Sequence, residues 1–464
     1  MQPVSLANIS IEELAAAYRQ RRLSPVDVVG ESLKLLEQLN PALNAYYLVD
    51  REGALAAARK SEARWYRNAP HSLLDGMPTS VKDALPSIGW PSYRGSVACQ
   101  DAPPPIADAP AIARLREAGA IFLGKTTMPD FGILASGYSS KHGVTRNPRA
   151  PQHNSGGSSS GAAAAVAAGI DVVGIGTDIV GSIRLPASFC GLFGFKPSQG
   201  RVPYYPPNDP SLTAGPITRS VADAAIMMNV ITKPDVRDYT ALAYVPCDYR
   251  ASIDASIPQK RIGFLQTFDF GLTSNDEVVR LARGAAVLLE QSGHDLREIT
   301  CTFSEFDLAQ AELYYKTRCF TEFMTMPEER REAATVIRDW TKAVERNSAR
   351  DLFVAMNAMR GLRERVMELF QSIDYLLLPT VHIPPFEAEL PAPGDLFGPW
   401  ANTFLFNITG QPSSSVPCGV TSEGLPVGVQ IVGQRFDDVG VLQISQTVER
   451  IIRPCEYRQQ IGIM

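Results

Sequence analysis

Apolar positions near the start of the chain recur at helical spacing. Ser10-Ile-Glu-Glu13 has the form of a capping box, in which a serine caps the helix and a glutamate reaches back to it. Ser24-Pro25 offers a second N-cap, with proline at the first helical position. Val28, Val29, Leu33 and Leu36 keep one face apolar, and Asn40-Pro41 predicts the stop. An Ala-rich stretch over 52–67 predicts a further helix. From about residue 76 the pattern shortens. Strand-like runs at Pro78–Val81 and Ala120–Leu123 flank a helical run at Ala111–Ala118. Further on, Ala162–Ala168 reads as a helix ended by Gly169, Ile170–Ile175 as a strand and Ser220–Val230 as a helix. Residues 255–370 are more charged and more helical. Strand-like runs return at Tyr375–Leu378, Ser414–Pro417 and Val427–Val432, before a last helix over 439–452. Such alternation predicts an α/β arrangement around one sheet. The reading is one domain over 1–464: a helical region (1–67), a core (76–250), a helical lobe without a clear boundary (255–370) and a return to the sheet (371–464).

Composition changes this picture little. With 464 residues, 45% hydrophobic and 20% charged, the chain can bury a large core. A formal net charge of −5 argues against a broad basic surface for nucleic acid. The seven cysteines are scattered, odd in number and without a C-x-x-C pair, which fits free thiols rather than disulfides or a zinc site. The N-terminus lacks the apolar core of a secretory signal. No apolar stretch approaches the roughly 20 residues that span a bilayer. The best candidate, GAAAAVAAGIDVVGIG, is interrupted by Asp171. These features predict a cytoplasmic protein with neither a nucleic-acid nor a membrane partner, and a homodimer is the base-rate expectation for its assembly.

Candidate chemistry concentrates in NSGGSSSGAAAAVAAGIDVVGIGTDIVGSIRLP (154–186). A Gly/Ser loop that opens into a helix presents backbone N–H groups suited to an anion or a developing oxyanion. Phosphate binding is one use, but G-x-x-x-x-G-K-[ST] is absent and Gly174-Ile-Gly176 lacks the third glycine of a dinucleotide fingerprint. A nucleophile elbow is another. Gly157-Ser158-Ser159-Ser160-Gly161 matches G-x-S-x-G, yet a proline-containing loop precedes it where an elbow needs a strand; His294 and His382 are the downstream candidate bases. A third use takes serines from two loops and a lysine. It accounts for both GGSSSG and GTDIVGSIRLP.

At these residues the chain resembles the amidase signature family. Gly156, Gly157, Ser158, Ser159, Gly161, Gly174, Gly176, Asp178, Ser182, Ile183, Arg184 and Pro186 fall on matching positions of the family's Gly/Ser-rich motif. Gly76-Met-Pro78-Thr-Ser-Val-Lys82-Asp83 resembles its G-x-P-x-x-x-K-D element, and matching segments continue in order to GLPVGVQIVG (424–433). The resemblance implies a single α/β domain with a mixed, twisted central sheet flanked by helices. It implies a Ser–cis-Ser–Lys triad, without metal or organic cofactor: Ser182 as nucleophile, Ser158 as the cis-peptide serine and Lys82 as base. It further implies an oxyanion hole from the N–H groups of Ile179, Val180, Gly181 and Ser182. A lysine works as a base only when neutral, so burial must lower its pKa from about 10.4 by roughly 3 units. Ser159 is expected in a supporting role, and Asp178 and Arg184 as an ion pair holding the nucleophile loop.

The chain departs from the family at Val180 and Ser160, where glycine is usual. Val180 keeps its N–H, and its side chain is expected to narrow the pocket; Met128 and Tyr138 are further candidates for the substrate wall, with Tyr204, Tyr205 and the helix over 310–325. The segment Lys125-Thr-Thr-Met-Pro-Asp-Phe-Gly-Ile-Leu-Ala-Ser differs from the N-M-D-E-F-A-M-G-S-S form typical of tRNA-dependent amidotransferase A subunits. The expected function is therefore hydrolysis of a small carboxamide or anilide. The alternatives are a non-catalytic scaffold subunit or a glutaminase-type A subunit.

Overall fold

A computed structural model describes residues 9–452 apart from Asn208 and Asp269. Residues 1–8 of the N-terminal region and 453–464 of the C-terminal region, including Cys455, lie outside the described residues. Helix α1 (Ile11–Arg19) starts at the Ser10–Glu13 capping box. Helix α2 (Pro25–Leu43) starts at Ser24 and runs three residues past the expected stop at Asn40-Pro41. Pro41 sits in the last turn, where its missing N–H removes one bond. The end comes at Asn44, which takes the left-handed conformation and gives its N–H to Asn40 O at 2.8 Å. Helix α3 (Arg51–Tyr66) follows.

A three-stranded sheet then forms from β1 (Tyr46–Val49), β2 (Pro78–Lys82) and β3 (Ile121–Thr126) in the order β1-β3-β2, with α4 (Pro110–Glu117) between the last two in sequence. The large sheet has eight strands. They are β4 (Gly174–Asp178), β5 (Phe193–Lys196), β6 (Thr213–Thr218), β7 (Arg261–Phe264), β8 (Asp295–Glu298), β9 (Tyr375–Pro379), β10 (Ser413–Val420) and β11 (Pro426–Val432). Their order is β8-β7-β9-β11-β10-β5-β6-β4. The β8/β7 and β7/β9 pairs are parallel and the remainder antiparallel, so the sheet is mixed, as expected. Residues 255–370 are not only helical. They supply both strands at one end of this sheet.

Helices α5 (Ser160–Ala167), α6 (Arg184–Phe189), α7 (Val221–Ile231), α8 (Asp276–Gln291), α9 (Glu305–Phe323), α10 (Ala349–Leu369) and α11 (Asp438–Ile452) surround the sheet. Every residue of α5 is buried. Its SGAAAAVA sequence has no side chain larger than valine, so sheet and loops approach it on all sides. The strand expected at Ile170–Ile175 lies further along, at Gly174–Asp178. The reason is a competing partner: Val172 N–H bonds to Pro78 O (3.0 Å) and Val173 O accepts from Thr79 Oγ1 (2.8 Å), so 170–173 dock on the small sheet before the chain joins the large one. These contacts bring Lys82, at the end of β2, beside β4.

Candidate active site

Strand β4 ends at Asp178, and the loop 179–183 leads to α6. Asp178 fixes this loop. Its carboxylate accepts the N–H groups of Gly181 (2.7 Å) and Ile183 (3.1 Å) and pairs with Arg184 through Nη2 (2.9 Å) and Nε (3.0 Å). Arg184 also donates to Gln430 Oε1 (2.7 Å), Asn407 Oδ1 (2.5 Å) and Thr403 O (3.0 Å). Both charged side chains are fully buried. Burial pushes the Asp178 carboxyl up, but Arg184, Lys196 and Asn407 outweigh it and hold the group at about 2. The ion pair expected between Asp178 and Arg184 is thus present and fully hydrogen-bonded, the condition under which a buried charge is tolerated. Gly181 has φ 137°, and a Cβ there would lie 2.2 Å from Thr403 Oγ1. The loop closes against Thr403 only with glycine at that point.

Lys82 reaches across from β2. Its Nζ lies 2.9 Å from Ser158 Oγ, 2.9 Å from Ser159 Oγ and 2.8 Å from Thr177 Oγ1. The Gly157–Ser158 peptide is cis. Burial lowers the Lys82 amine to about 7; Asp178 and Asp83 oppose the shift and Arg94 adds to it. A charged amine can donate one proton to each of these three hydroxyls. A neutral amine has two N–H groups and a lone pair, so one hydroxyl must turn and donate to it. The cluster satisfies both protonation states by hydroxyl rotation alone.

Ser182 sits on the adjoining loop, where its carbonyl accepts the Ser159 N–H at 3.2 Å. Its Oγ is buried and has no hydrogen-bond partner among the described residues. The structure therefore joins Lys82, Ser158 and Ser159 directly and leaves the Ser158–Ser182 contact open. Of the expected oxyanion donors, Gly181 gives its N–H to Asp178, so that donor is already engaged. The Val180 and Ser182 N–H groups have no acceptor among the described residues.

Val180 is buried in the cluster that includes Trp400, Phe404 and Leu185 and has no positive φ, as a β-branched residue requires. Ser160 is buried and its Oγ donates to Thr127 O at 3.3 Å. Met128 is buried beside Gly132, whose added Cβ would lie 3.3 Å from Met128 Cε and 3.1 Å from Ser158 Oγ. Tyr138 packs on the Phe131–Leu134 cluster and is not hydrogen-bonded to the lysine–serine group. No histidine meets these serines among the described residues. His294 Nδ1 accepts from the Lys260 N–H and the buried His382 Nδ1 has no hydrogen-bond partner among the described residues, so neither histidine is joined to an elbow serine.

Thr177 is the member that sequence reasoning missed. Its signal was available: it is the one hydroxyl in the strand Gly-Ile-Gly-Thr-Asp, next to Asp178, and side chains alternate along a strand. Thr177 turns towards Lys82 while Asp178 turns to Arg184.

The amidase family profile matches residues 27–442, and the chain belongs to the amidase family, enzymes that act on carbon–nitrogen bonds other than peptide bonds. Its similarities extend over almost the whole length. The A subunit of glutamyl-tRNA(Gln) amidotransferase from Myxococcus xanthus (strain DK1622) is 32% identical over 488 residues, covering 96% of this chain and 98% of the relative. The protein of the same name from Synechococcus sp. (strain CC9902) is 33% identical over 476 residues, covering 94% and 95%. Among solved structures, a bacterial aryl acylamidase of the amidase signature family superposes with a TM-score of 0.89 at 30% identity, covering 98% of each chain. A 6-aminohexanoate cyclic dimer hydrolase, complexed with substrate, superposes with 0.84 at 26% identity, covering 97% and 98%. No helix among the described residues is long and apolar enough to cross a membrane.

Proposed function

We propose that the chain hydrolyses the amide bond of a small carboxamide or anilide through an acyl-enzyme on Ser182. The observation that carries this reading is the fully buried Lys82 with its Nζ 2.9 Å from Ser158 Oγ. A serine hydroxyl attacks a carbonyl only as its proton leaves. In the proposed sequence, Ser182 Oγ bonds to the amide carbon while its proton passes to Ser158, and the proton of Ser158 passes to the neutral Lys82 amine. The carbonyl oxygen gains charge and is met by the N–H groups of Val180 and Ser182, with Ile179 alongside. The tetrahedral species collapses as the relay returns a proton to the leaving nitrogen. Water then repeats the path and releases the acid. Contacts of this kind are often open before substrate binds, and closure between Ser158 and Ser182 is part of the proposal.

The amidotransferase A subunits among the relatives favour a second reading, a glutaminase-type A subunit that works with partner subunits on tRNA. Similarity to an aryl acylamidase and a 6-aminohexanoate cyclic dimer hydrolase over nearly the whole chain, and the divergent segment 125–136, support the first. Release of ammonia or amine is to be measured from primary carboxamides, anilides and glutamine, with wild type and Ser182→Ala. Release from carboxamides or anilides that vanishes in the variant supports the hydrolase. Release from glutamine alone supports the second reading. Release that survives Ser182→Ala overturns the assignment of the nucleophile.

A further inference from the structure

The peptide planes of the loop 179–183 are held in different ways. A trans peptide sets its C=O and N–H on opposite edges of one plane, so a bond that fixes the oxygen also aims the hydrogen. Gly181 O accepts the Leu185 N–H at 2.8 Å, which fixes the plane carrying the Ser182 N–H. Val180 O accepts from Thr403 Oγ1, and the Gly181 N–H of that same plane is taken by Asp178. Ile179 O accepts the Tyr315 hydroxyl at 3.1 Å and has no other donor among the described residues. That plane carries the Val180 N–H, which has no acceptor among them. The two open N–H groups are thus braced unequally. The backbone of α6 holds the one on Ser182, and a single phenol reaching over from α9 holds the one on Val180.

Tyr315 is buried in the same cluster as Val180. Its ring stacks on Phe397 with centroids 5.7 Å apart and meets Tyr314 edge-on at 5.3 Å, so packing sets the ring without help from the hydroxyl. Burial, reinforced by Asp209, pushes the phenol above its ordinary value, which keeps it a donor throughout the neutral range. The hydroxyl has one proton and two neighbours able to accept it, Ile179 O and Ser211 Oγ at 3.2 Å. Ser211 donates its own proton to Asp209, which leaves its oxygen able to compete for that of Tyr315. Where the phenol proton goes to Ile179 O, it polarises the amide and makes the Val180 N–H a stronger donor.

We propose, resting on the amidohydrolase reading, that Tyr315 is a positioning residue for the oxyanion hole: its hydroxyl holds the Ile179–Val180 peptide so that the Val180 N–H meets the oxygen of the tetrahedral species. A donor aimed in advance needs no reorganisation as charge develops on that oxygen. The hydroxyl belongs to this role and the ring to packing, so Tyr315→Phe removes the first and keeps the second. The lysine–serine relay lies outside this bond and is left intact by its loss.

The test follows labelling of the full-length protein by an alkyl fluorophosphonate, which needs no knowledge of the amide. Serine oxygen bonds to phosphorus, fluoride leaves, and the phosphoryl oxygen gains charge on the way. Rates are measured across a pH series for wild type, Tyr315→Phe and Ser211→Ala, and mass spectrometry locates the label. In Tyr315→Phe the plateau rate is expected to fall about ten-fold, less than the loss of an oxyanion donor itself, with the pH midpoint where wild type has it. Ser211→Ala removes the competing acceptor and is expected to label at least as fast as wild type, which tests the same bond without touching Tyr315. An unchanged plateau in Tyr315→Phe overturns the brace. So does a displaced midpoint, which marks damage to the lysine relay, or a loss in Ser211→Ala as large as that in Tyr315→Phe. Ser182 labelled equally in wild type and Tyr315→Phe sinks the brace alone. No label on Ser182 in wild type sinks the nucleophile assignment, and the brace with it.

Discussion

The burial of Lys82 sets the pH at which the proposed base is available. Its amine is lowered to about 7, so the neutral form gains population as pH rises through that value. The expected profile of kcat/KM therefore climbs from pH 6 and levels above pH 8, and Lys82→Arg, whose guanidinium stays charged, abolishes turnover. A flat profile between pH 6 and 8 removes Lys82 as the base. Val180 bears on substrate size instead. Val180→Gly deletes a buried side chain beside the loop, so the ratio of rates on bulky over small acyl groups is expected to rise several-fold; an unchanged ratio rejects this role. The residues that make up the lysine–serine group were legible in the sequence because they fall in long collinear motifs. Thr177 was overlooked although its place in the strand signalled it; Arg94 was not legible, because it matters through a neighbour far along the chain, meeting Glu322 across 228 residues.

Among elements, helix starts were the most readable feature and their ends less so. Caps are local chemistry: Ser10, Ser24 and Ser220 each accept the N–H three residues on. The end of α2 depended on Asn40, whose side chain also accepts the Ala45 and Tyr46 N–H groups at 2.9 and 2.8 Å and carries the helix past Pro41. The position of β4 was misread because apolar composition does not distinguish docking on the small sheet from entry into the large one. The cap of α7 gives a prediction at this scale. Ser220→Ala removes a hydroxyl that accepts the Asp223 N–H at 3.1 Å. The expected loss is about 1 kcal/mol, read as a lower melting temperature with kcat unchanged. A loss of activity at an unchanged melting point contradicts a purely structural cap.

Across the whole molecule, buried lysines make stability depend on pH. Lys82 and Lys196 are both lowered to about 7, chiefly by burial, and Lys125 to about 8. In the unfolded chain each titrates near 10.4. Between those values the unfolded state holds protons that the folded state has released, so stability rises with pH, and below about 7 the cost of the buried charges is present in full. Lys196→Met is expected to flatten the rise in melting temperature between pH 7 and 9 relative to wild type; identical slopes show that Lys196 does not titrate there. The α/β class was readable from the alternation of short runs. That residues 255–370 complete the large sheet was not, because β7 and β8 are four residues each within a mainly helical stretch.

The bond from Arg184 to Gln430 spans 246 residues. A ribosome makes Lys82, Ser158 and Ser182 long before it makes Gln430. While the chain is still being synthesised, the Asp178–Arg184 pair lacks both the glutamine and Asn407, and the loop holding Ser182 has no finished support. Strands β10 and β11 therefore act as a timer: a nascent chain carries every reactive group of the proposed site well before the strand with Gln430 arrives to brace the loop.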